Sequence, residues 1–128
     1  MNDLIYPTEC YRIIGACFEV YNEKGGGFHE PVYHDCLELE FGLQQIPFVH
    51  EPALNLTYKG LPIRHSYSPD FTRWDKIVVE LKAVDNLADE HTAQVLNYLN
   101  ATGYELGLLV NFGHYPGLQW KRVAHTKK

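Results

Sequence analysis

The chain has 128 residues, a formal net charge of −5 and a hydrophobic content of 45%. This length accommodates one domain with a sizeable core, and the composition is typical of a globular protein rather than a disordered one. The acidic total argues against a protein that coats DNA through bulk positive charge. It does not argue against an enzyme that reaches phosphates through bound cations.

Targeting signals and cysteine content narrow the class further. No apolar run approaches the roughly 20 residues that span a bilayer, and residues 1–7 lack the basic start and apolar stretch of a signal peptide. We therefore expect a cytoplasmic protein with no membrane partner. Cys10, Cys17 and Cys36 include no Cys-x-x-Cys pair, so they indicate neither a disulfide framework nor a zinc or iron–sulfur site.

The first half of the chain predicts two helices. Apolar residues recur at helical spacing over about 8–22, with Thr8 as the N-cap, and the glycines of 25–27 end this helix. A second helix is predicted over about 30–42, because Pro31 fits a first helical turn.

The second half predicts a sheet interrupted by one helix. The predicted elements are a hairpin of strands 54–58 and 63–71, a strand over 77–82, a helix over 88–102, and strands over 106–112 and 119–125. The order is therefore α-α-β-β-β-α-β-β in one domain over residues 1–128. The strand–helix–strand succession favours a right-handed crossover between parallel neighbours, so the fold class is α/β with a mixed sheet.

The strand over 77–82 carries the most informative polar residues. Strand alternation places Glu80 and Lys82 on one face and their apolar neighbours on the other. Asp70, on the returning strand of the hairpin, could bring a second carboxylate to the same end of the sheet. Two carboxylates and a lysine suit the binding of a divalent cation beside a phosphate and its attacking water. The alternative is a solvated strand face with a weak ion pair.

Glu30 could add a third carboxylate from the predicted second helix. It stands in a Gly27-x-x-Glu30-x-x-Tyr33 pattern, in which Glu30 and Tyr33 are three residues apart and can point the same way. A glutamate in a first helical turn could instead simply favour the helix dipole. If it faces the other two carboxylates, their repulsion calls for a cation, a raised pKa or the nearby lysine.

The predicted third helix offers a second group of polar residues. Gln94 and Tyr98 are four apart and share a face, which His91 joins three residues earlier. The helix follows the Glu80 strand through a short loop, so its N-terminal half should lie near the end of the sheet where ligand sites gather. The alternatives are an ordinary polar helix residue for Gln94 and a partly buried aromatic for Tyr98.

Histidines and basic residues elsewhere leave two interpretations each. His29 and His34 flank the candidate site helix and could bind a softer metal, although solvated or hydrogen-bonded histidines are more common. The basic side chains after residue 120 could contact a nucleic-acid backbone or simply be solvated. These basic residues are Lys121, Arg122, Lys127 and Lys128.

Taken together, these motifs resemble the GxxExxY protein family of the PD-(D/E)XK nuclease superfamily. The residues that carry the resemblance are Gly27, Glu30, Tyr33, Asp70, Glu80-Leu81-Lys82, Gln94, Tyr98 and the run from Leu108 to Gly113. The Gln-x-x-x-Tyr helix is similar to that of the RecB-type branch. The resemblance extends over nearly the whole chain, from about residue 8 to 124.

The resemblance implies a restriction-endonuclease-like core and Mg²⁺- or Mn²⁺-dependent hydrolysis of phosphodiester bonds. It implies that the metal ligands are Asp70, Glu80, the backbone carbonyl of Leu81 and Glu30. Lys82 would orient or activate water and stabilise charge on the phosphorane. Gln94 completes the implied catalytic set, and the implied substrate-binding or supporting residues are Tyr98, Tyr33 and His91.

Some features depart from the family pattern. Pro69 precedes Asp70, where many relatives of the RecB type have a glycine-containing approach, and the chain has no evident DNA-binding appendage. We predict a nuclease that acts on DNA rather than RNA, with a homodimer as one option. One alternative is a catalytically silent nuclease-fold module that binds or regulates with a partner. Another is a metal-dependent phosphohydrolase for nucleotides.

Overall fold

The computed structural model describes residues 5–125, so residues 1–4 and Lys127 and Lys128 of the basic tail lie outside the described part. The helices are α1 Pro7–Lys24, α2 Glu30–Leu43 and α3 Asp89–Thr102. The strands are β1 Val49–His50, β2 Leu54–Tyr58, β3 Leu61–Tyr67, β4 Phe71–Arg73, β5 Ile77–Lys82, β6 Leu106–Asn111 and β7 Gln119–Ala124. Within the described residues, no helix has both the length and the apolar character needed to cross a bilayer.

The main sheet has five strands in the order β1-β4-β5-β6-β7. Strands β5 and β6 are parallel and are connected through α3, whereas the other neighbouring pairs are antiparallel. The mixed sheet and its central crossover therefore confirm the predicted α/β class. Strand β6 is buried along its whole length, as expected for an apolar strand covered on both faces.

The two faces of the sheet are covered by different elements. Helices α1 and α2 pack on one face, where their apolar side chains meet those of alternate β5 and β6 residues such as Val79, Leu81 and Leu108. Helix α3 and the β2–β3 hairpin cover the other face, where Val78, Val95 and neighbouring side chains form a second core. Glu80 and Lys82 share the strand face of Val78, so both emerge on the side of α3 and the hairpin.

The hairpin region differs from the sequence prediction. The returning strand ends at Tyr67 rather than at residue 71, and Phe71 begins the separate strand β4 in the main sheet. Pro69 lacks an amide hydrogen and cannot continue the hairpin ladder, so the chain crosses between sheets at this point. Asp70 therefore lies in a bend before β4 and not on the returning strand.

Two smaller differences concern the number of strands and the start of α1. The short strands β1 and β4 are not predicted from the sequence, so the observed order contains two more strands than α-α-β-β-β-α-β-β. Helix α1 begins at Pro7 with Tyr6 in the N-cap position, and Thr8 lies inside the helix rather than capping it.

A buried amide holds the loop that joins β5 to α3. The Asn111 side-chain oxygen accepts hydrogen bonds from the amides of Val84 at 2.9 Å and Gly113 at 3.0 Å. Its Nδ2 donates to the Gln119 side-chain oxygen at 3.0 Å. A Cβ atom at Gly113 would lie 2.6 Å from the Val84 backbone, so only glycine fits this close approach. The Asn-Phe-Gly sequence thus fixes the backbone just beyond the end of β5.

Candidate active site

Carboxylates from three separate segments come together at the end of β5. Glu30 is the first residue of α2, Asp70 lies in the bend before β4, and Glu80 projects from β5. The charge of Asp70 raises the pKa of both glutamates, and Lys82 acts in the opposite direction on both. Asp70 and Lys82 therefore each lie close enough to both glutamates to change their ionisation.

Asp70 is fixed from two sides. Its Oδ2 accepts a hydrogen bond from the backbone amide of Leu81 at 2.8 Å. Its Oδ1 lies 2.8 Å from Nδ1 of His34, a buried residue of α2. One bond ties the carboxylate to the strand that carries Glu80, and the other ties it to the helix that begins at Glu30. The bend before β4 is thereby held against both neighbouring elements.

Glu80 is held through a pair of stacked tyrosines. The Tyr67 hydroxyl donates a hydrogen bond to Glu80 Oε2 at 2.8 Å. The Tyr67 ring, from the hairpin, stacks on the Tyr98 ring of α3 with centroids 3.9 Å apart and planes within 2° of parallel. Tyr98 therefore supports the site through another side chain, since Tyr67 is the residue that contacts Glu80.

The electrostatics of both glutamates reflect burial and mutual repulsion. Burial is the main cause that raises the pKa of Glu80 to about 7, with a further contribution from Asp70 and opposing effects of the Tyr67 hydrogen bond and Lys82. Partial burial also raises the pKa of the Glu30 carboxyl, although Glu30 as a whole residue is exposed. Asp70 adds to this increase, while Lys82 and His34 oppose it. In both glutamates the ionised form is therefore disfavoured, and a bound cation would favour it.

The donor set fits a hard divalent cation. Glu30, Asp70 and Glu80 supply carboxylate oxygens, and each Asp70 oxygen retains a free lone pair beside its one protein donor. The amide and carbonyl of one strand residue point towards the same neighbouring strand. Because the Leu81 amide faces Asp70, its carbonyl faces that side as well. Oxygen ligands and uncompensated negative charge are the conditions under which Mg²⁺ or Mn²⁺ binds.

A cleft opens beside these groups. It has a volume of about 300 Å³ and is lined by Glu30, Pro31, His34, Asp35, His50, Glu51 and Asp70. A larger cleft of about 540 Å³ lies between α1 and β7 and is lined mainly by apolar side chains such as Ile14, Phe18 and Trp120. Of these two clefts, the smaller, acidic one gives access to the carboxylates of Glu30 and Asp70.

The remaining residues named from the sequence make no direct contact with the carboxylates among the described residues. Gln94 is exposed on α3, one turn before Tyr98. The His91 Nδ1 accepts a hydrogen bond from the Ala88 amide at 2.9 Å and so caps the start of α3. Tyr33 is buried, and its hydroxyl donates to the Gly25 carbonyl at 2.6 Å, which closes the glycine loop that precedes Glu30.

Two contacts of the site have no local sequence signal. Tyr67 is an ordinary alternating residue of a predicted strand, and its bond to Glu80 spans 13 residues. His34 flanks the predicted site helix, but its bond to Asp70 spans 36 residues. The only sequence signal that could have linked His34 to the site is its i, i+4 spacing from Glu30, which places both residues on one helix face.

Comparison with known proteins identifies the superfamily and the fold of this chain. The family model of the PD-(D/E)XK nuclease superfamily matches residues 7–123 of this chain. The chain therefore belongs to this superfamily. The fold is similar to that in the crystal structure of SSO0001, with a TM-score of 0.58 and 18% identity over 77% of this chain and 50% of that chain. This chain thus spans half the length of that protein chain, and the likeness supports a restriction-endonuclease-like core. No curated protein gives a significant match.

Proposed function

We propose that this chain is a divalent-metal-dependent nuclease that hydrolyses phosphodiester bonds of DNA. The observation that carries the proposal is the meeting of Glu30, Asp70, Glu80 and Lys82 at one end of the sheet, in a chain of the PD-(D/E)XK nuclease superfamily. On the strength of its sequence motifs, we further propose that it belongs to the GxxExxY family and to the RecB-type branch. Superfamily membership and the donor set both favour Mg²⁺ or Mn²⁺ as the cofactor.

The metal ligands would be Asp70, Glu80, the Leu81 carbonyl and Glu30. A bound divalent ion would polarise the phosphate and favour the hydroxide form of a nearby water. Asp70 can serve in this set because the Leu81 amide and His34 hold its carboxylate in one orientation. Glu80 is oriented in the same way by Tyr67. Preorganised ligands lower the cost of ordering the site when metal and substrate bind.

Lys82 is the residue best placed to act on the reacting phosphate. Its ammonium carries the positive charge that opposes the carboxylates, and it emerges on the same strand face as Glu80. There it would orient the attacking water and stabilise the negative charge that develops on the phosphorane. Both residues lie on rigid strand backbone, so their separation varies little.

The other candidate residues would act around this centre. Gln94 is exposed on α3 and would contact the nucleic acid or the attacking water. Tyr98 supports Glu80 through Tyr67. Tyr33 and His91 would position the start of α2 and of α3 respectively. The proposal also includes a cytoplasmic location and one nuclease-like domain, with a homodimer as one option for assembly.

Cleavage assays on the purified chain test the proposal directly. With Mg²⁺ or Mn²⁺ present, we expect DNA to be nicked or degraded, and we expect EDTA to abolish this activity. Asp70→Ala and Lys82→Ala should each reduce the rate by at least about 10²–10³-fold, the cost of removing one preorganised electrostatic group. Glu19→Ala, on the exposed face of α1, is the matched control and should keep full activity.

The same assay separates the rival functions. Cleavage that survives both Asp70→Ala and Lys82→Ala would refute the assignment of the site. Metal binding without cleavage of DNA or RNA would instead favour a catalytically silent module. At present, no feature of residues 5–125 favours that module over an enzyme. Cleavage of RNA in preference to DNA would correct the substrate and leave the site unchanged.

A further inference from the structure

A second group of potential metal ligands lies beside the carboxylates. The histidine cluster consists of His34 and Glu38 on α2 together with His50 on β1, and one ligand atom from each lies within 4.8 Å of the others. His34 and Glu38 are four residues apart and therefore share one face of the helix. His50 Nε2 is already 3.6 Å from Glu38 Oε1. The short strand β1 brings His50 to this helix face.

His34 presents a buried nitrogen that has no partner. Its residue exposure is 6%, and its Nε2 makes no hydrogen bond to any of the described residues. The nearest acidic oxygen, Glu51 Oε2, is 3.9 Å away, which is beyond hydrogen-bond length. A buried polar atom without a partner costs free energy, so this nitrogen calls for a ligand.

The hydrogen bond to Asp70 determines which ring nitrogen can bind a metal. An ionised carboxylate can only accept, so His34 Nδ1 must carry the hydrogen that it donates to Asp70 Oδ1 at 2.8 Å. In the neutral ring, Nε2 is then left with a free lone pair. This carboxylate–histidine arrangement is the one that orients histidine ligands in metal sites. The ring is also stacked on Phe71 at 4.5 Å, which fixes its direction.

We propose that His34 Nε2, His50 and Glu38 bind one divalent transition-metal ion of the Zn²⁺ class. Two imidazoles and one carboxylate are ligands that Zn²⁺ prefers, whereas Mg²⁺ prefers an all-oxygen set. Glu51, which also lies 3.8 Å from His50 Nε2, is placed to complete the coordination. None of the three proposed ligands is a ligand of the carboxylate site, although His34 and His50 line the same cleft as Glu30 and Asp70.

The geometry needs only a modest adjustment for binding. Ligand atoms around tetrahedral Zn²⁺ lie about 3.4 Å apart, given bond lengths near 2.1 Å. The buried ring of His34 is fixed, but the side chains of His50 and Glu38 are 40% and 42% exposed and can rotate inward. Binding would join β1 to α2. It would also connect this ion to the carboxylate site, since His34 contacts Asp70 through its other nitrogen.

Zinc titration of the purified full chain in millimolar Mg²⁺ tests this proposal. Excess Mg²⁺ occupies or competes for the carboxylate site, so calorimetry should report one Zn²⁺ ion per chain with micromolar or tighter affinity. His50→Ala and Glu38→Gln should each weaken Zn²⁺ binding by at least about 10–100-fold. Loss of a residue that only supports a metal ligand already costs about this much affinity. Both side chains are partly exposed, so these variants should keep the fold.

His65→Ala is the matched control. His65 is an exposed histidine of β3, outside the cluster, and its removal should leave Zn²⁺ affinity unchanged. In NMR spectra, the ring nitrogens of His34 and His50 should shift on addition of Zn²⁺ while those of His65 should not. Absence of Zn²⁺ binding in Mg²⁺, or equal binding by the wild type, His50→Ala and Glu38→Gln, would overturn the proposal. These readouts require no nuclease activity, so the proposal stands or fails independently of the proposed function.

Discussion

Replacing Tyr67 by phenylalanine removes one oxygen from the candidate site and keeps the ring that stacks on Tyr98. The lost contact is the 2.8 Å hydrogen bond from the Tyr67 hydroxyl to Glu80. Hydrogen bonds to charged groups contribute about 1.5–3 kcal/mol, which corresponds to roughly 10–100-fold in an equilibrium constant. The bond also lowers the pKa of Glu80, so its loss raises that pKa further and leaves less ionised carboxylate at neutral pH. We therefore expect Tyr67→Phe to weaken Mn²⁺ binding by about 10–100-fold.

Tyr98→Phe is the matched control for this experiment. It removes a hydroxyl from the other ring of the same stacked pair, and that hydroxyl makes no hydrogen bond to the described residues. Calorimetric or electron paramagnetic resonance titration with Mn²⁺ should show near wild-type affinity for Tyr98→Phe. Circular dichroism should show that both variants are folded. Equal Mn²⁺ affinities of Tyr67→Phe and the wild type would refute the role given to the Tyr67 hydroxyl.

Two further predictions concern the fold around the site. Gly113→Ala should lower the free energy of unfolding by about 1–3 kcal/mol in guanidinium denaturation, because its Cβ would lie 2.6 Å from neighbouring backbone. Gly117→Ala, whose Cβ would meet nothing within 4 Å, should change it by less than about 0.5 kcal/mol, and equal effects would contradict the argument. A thiol reagent should label half-buried Cys36 in the native protein, whereas Cys17 should react only after denaturation, since full burial shields its thiol and raises its pKa. Rapid labelling of Cys17 in the native protein would contradict its burial in the core between α1, α2 and the sheet.

Long elements with strong periodicity could be predicted from the sequence. Helix α3 and strand β6 have a regular apolar stripe and a continuous apolar run, which specify type and approximate bounds without knowledge of the partners. The two-residue strand β1 and the three-residue strand β4 are too short to carry a period. Their strand conformation depends on pairing with each other and with β5, which is a tertiary effect.

The candidate site could be predicted from the sequence only in part, because strand periodicity places some of its residues and tertiary packing places the others. Alternation along one strand places Glu80 and Lys82 together, and motif order brings in Glu30 and Asp70. Sequence alone gives no distance between segments, so the contacts that hold these groups are visible only in the structure. The bend at Asp70 illustrates the limit: Pro69 signals the end of hairpin pairing, but the bonds to Leu81 and His34 depend on how the layers pack.

A crystal soaked in Mn²⁺ and measured for anomalous scattering tests the central claim most directly. We expect a peak between Asp70 and Glu80, within coordination distance of both carboxylates and on the side faced by the Leu81 carbonyl. A separate peak at the histidine cluster would concern the second site alone. Density that contacts neither carboxylate, or a saturated soak with no peak beside them, would contradict the assignment of this end of the sheet as a metal-dependent nuclease site.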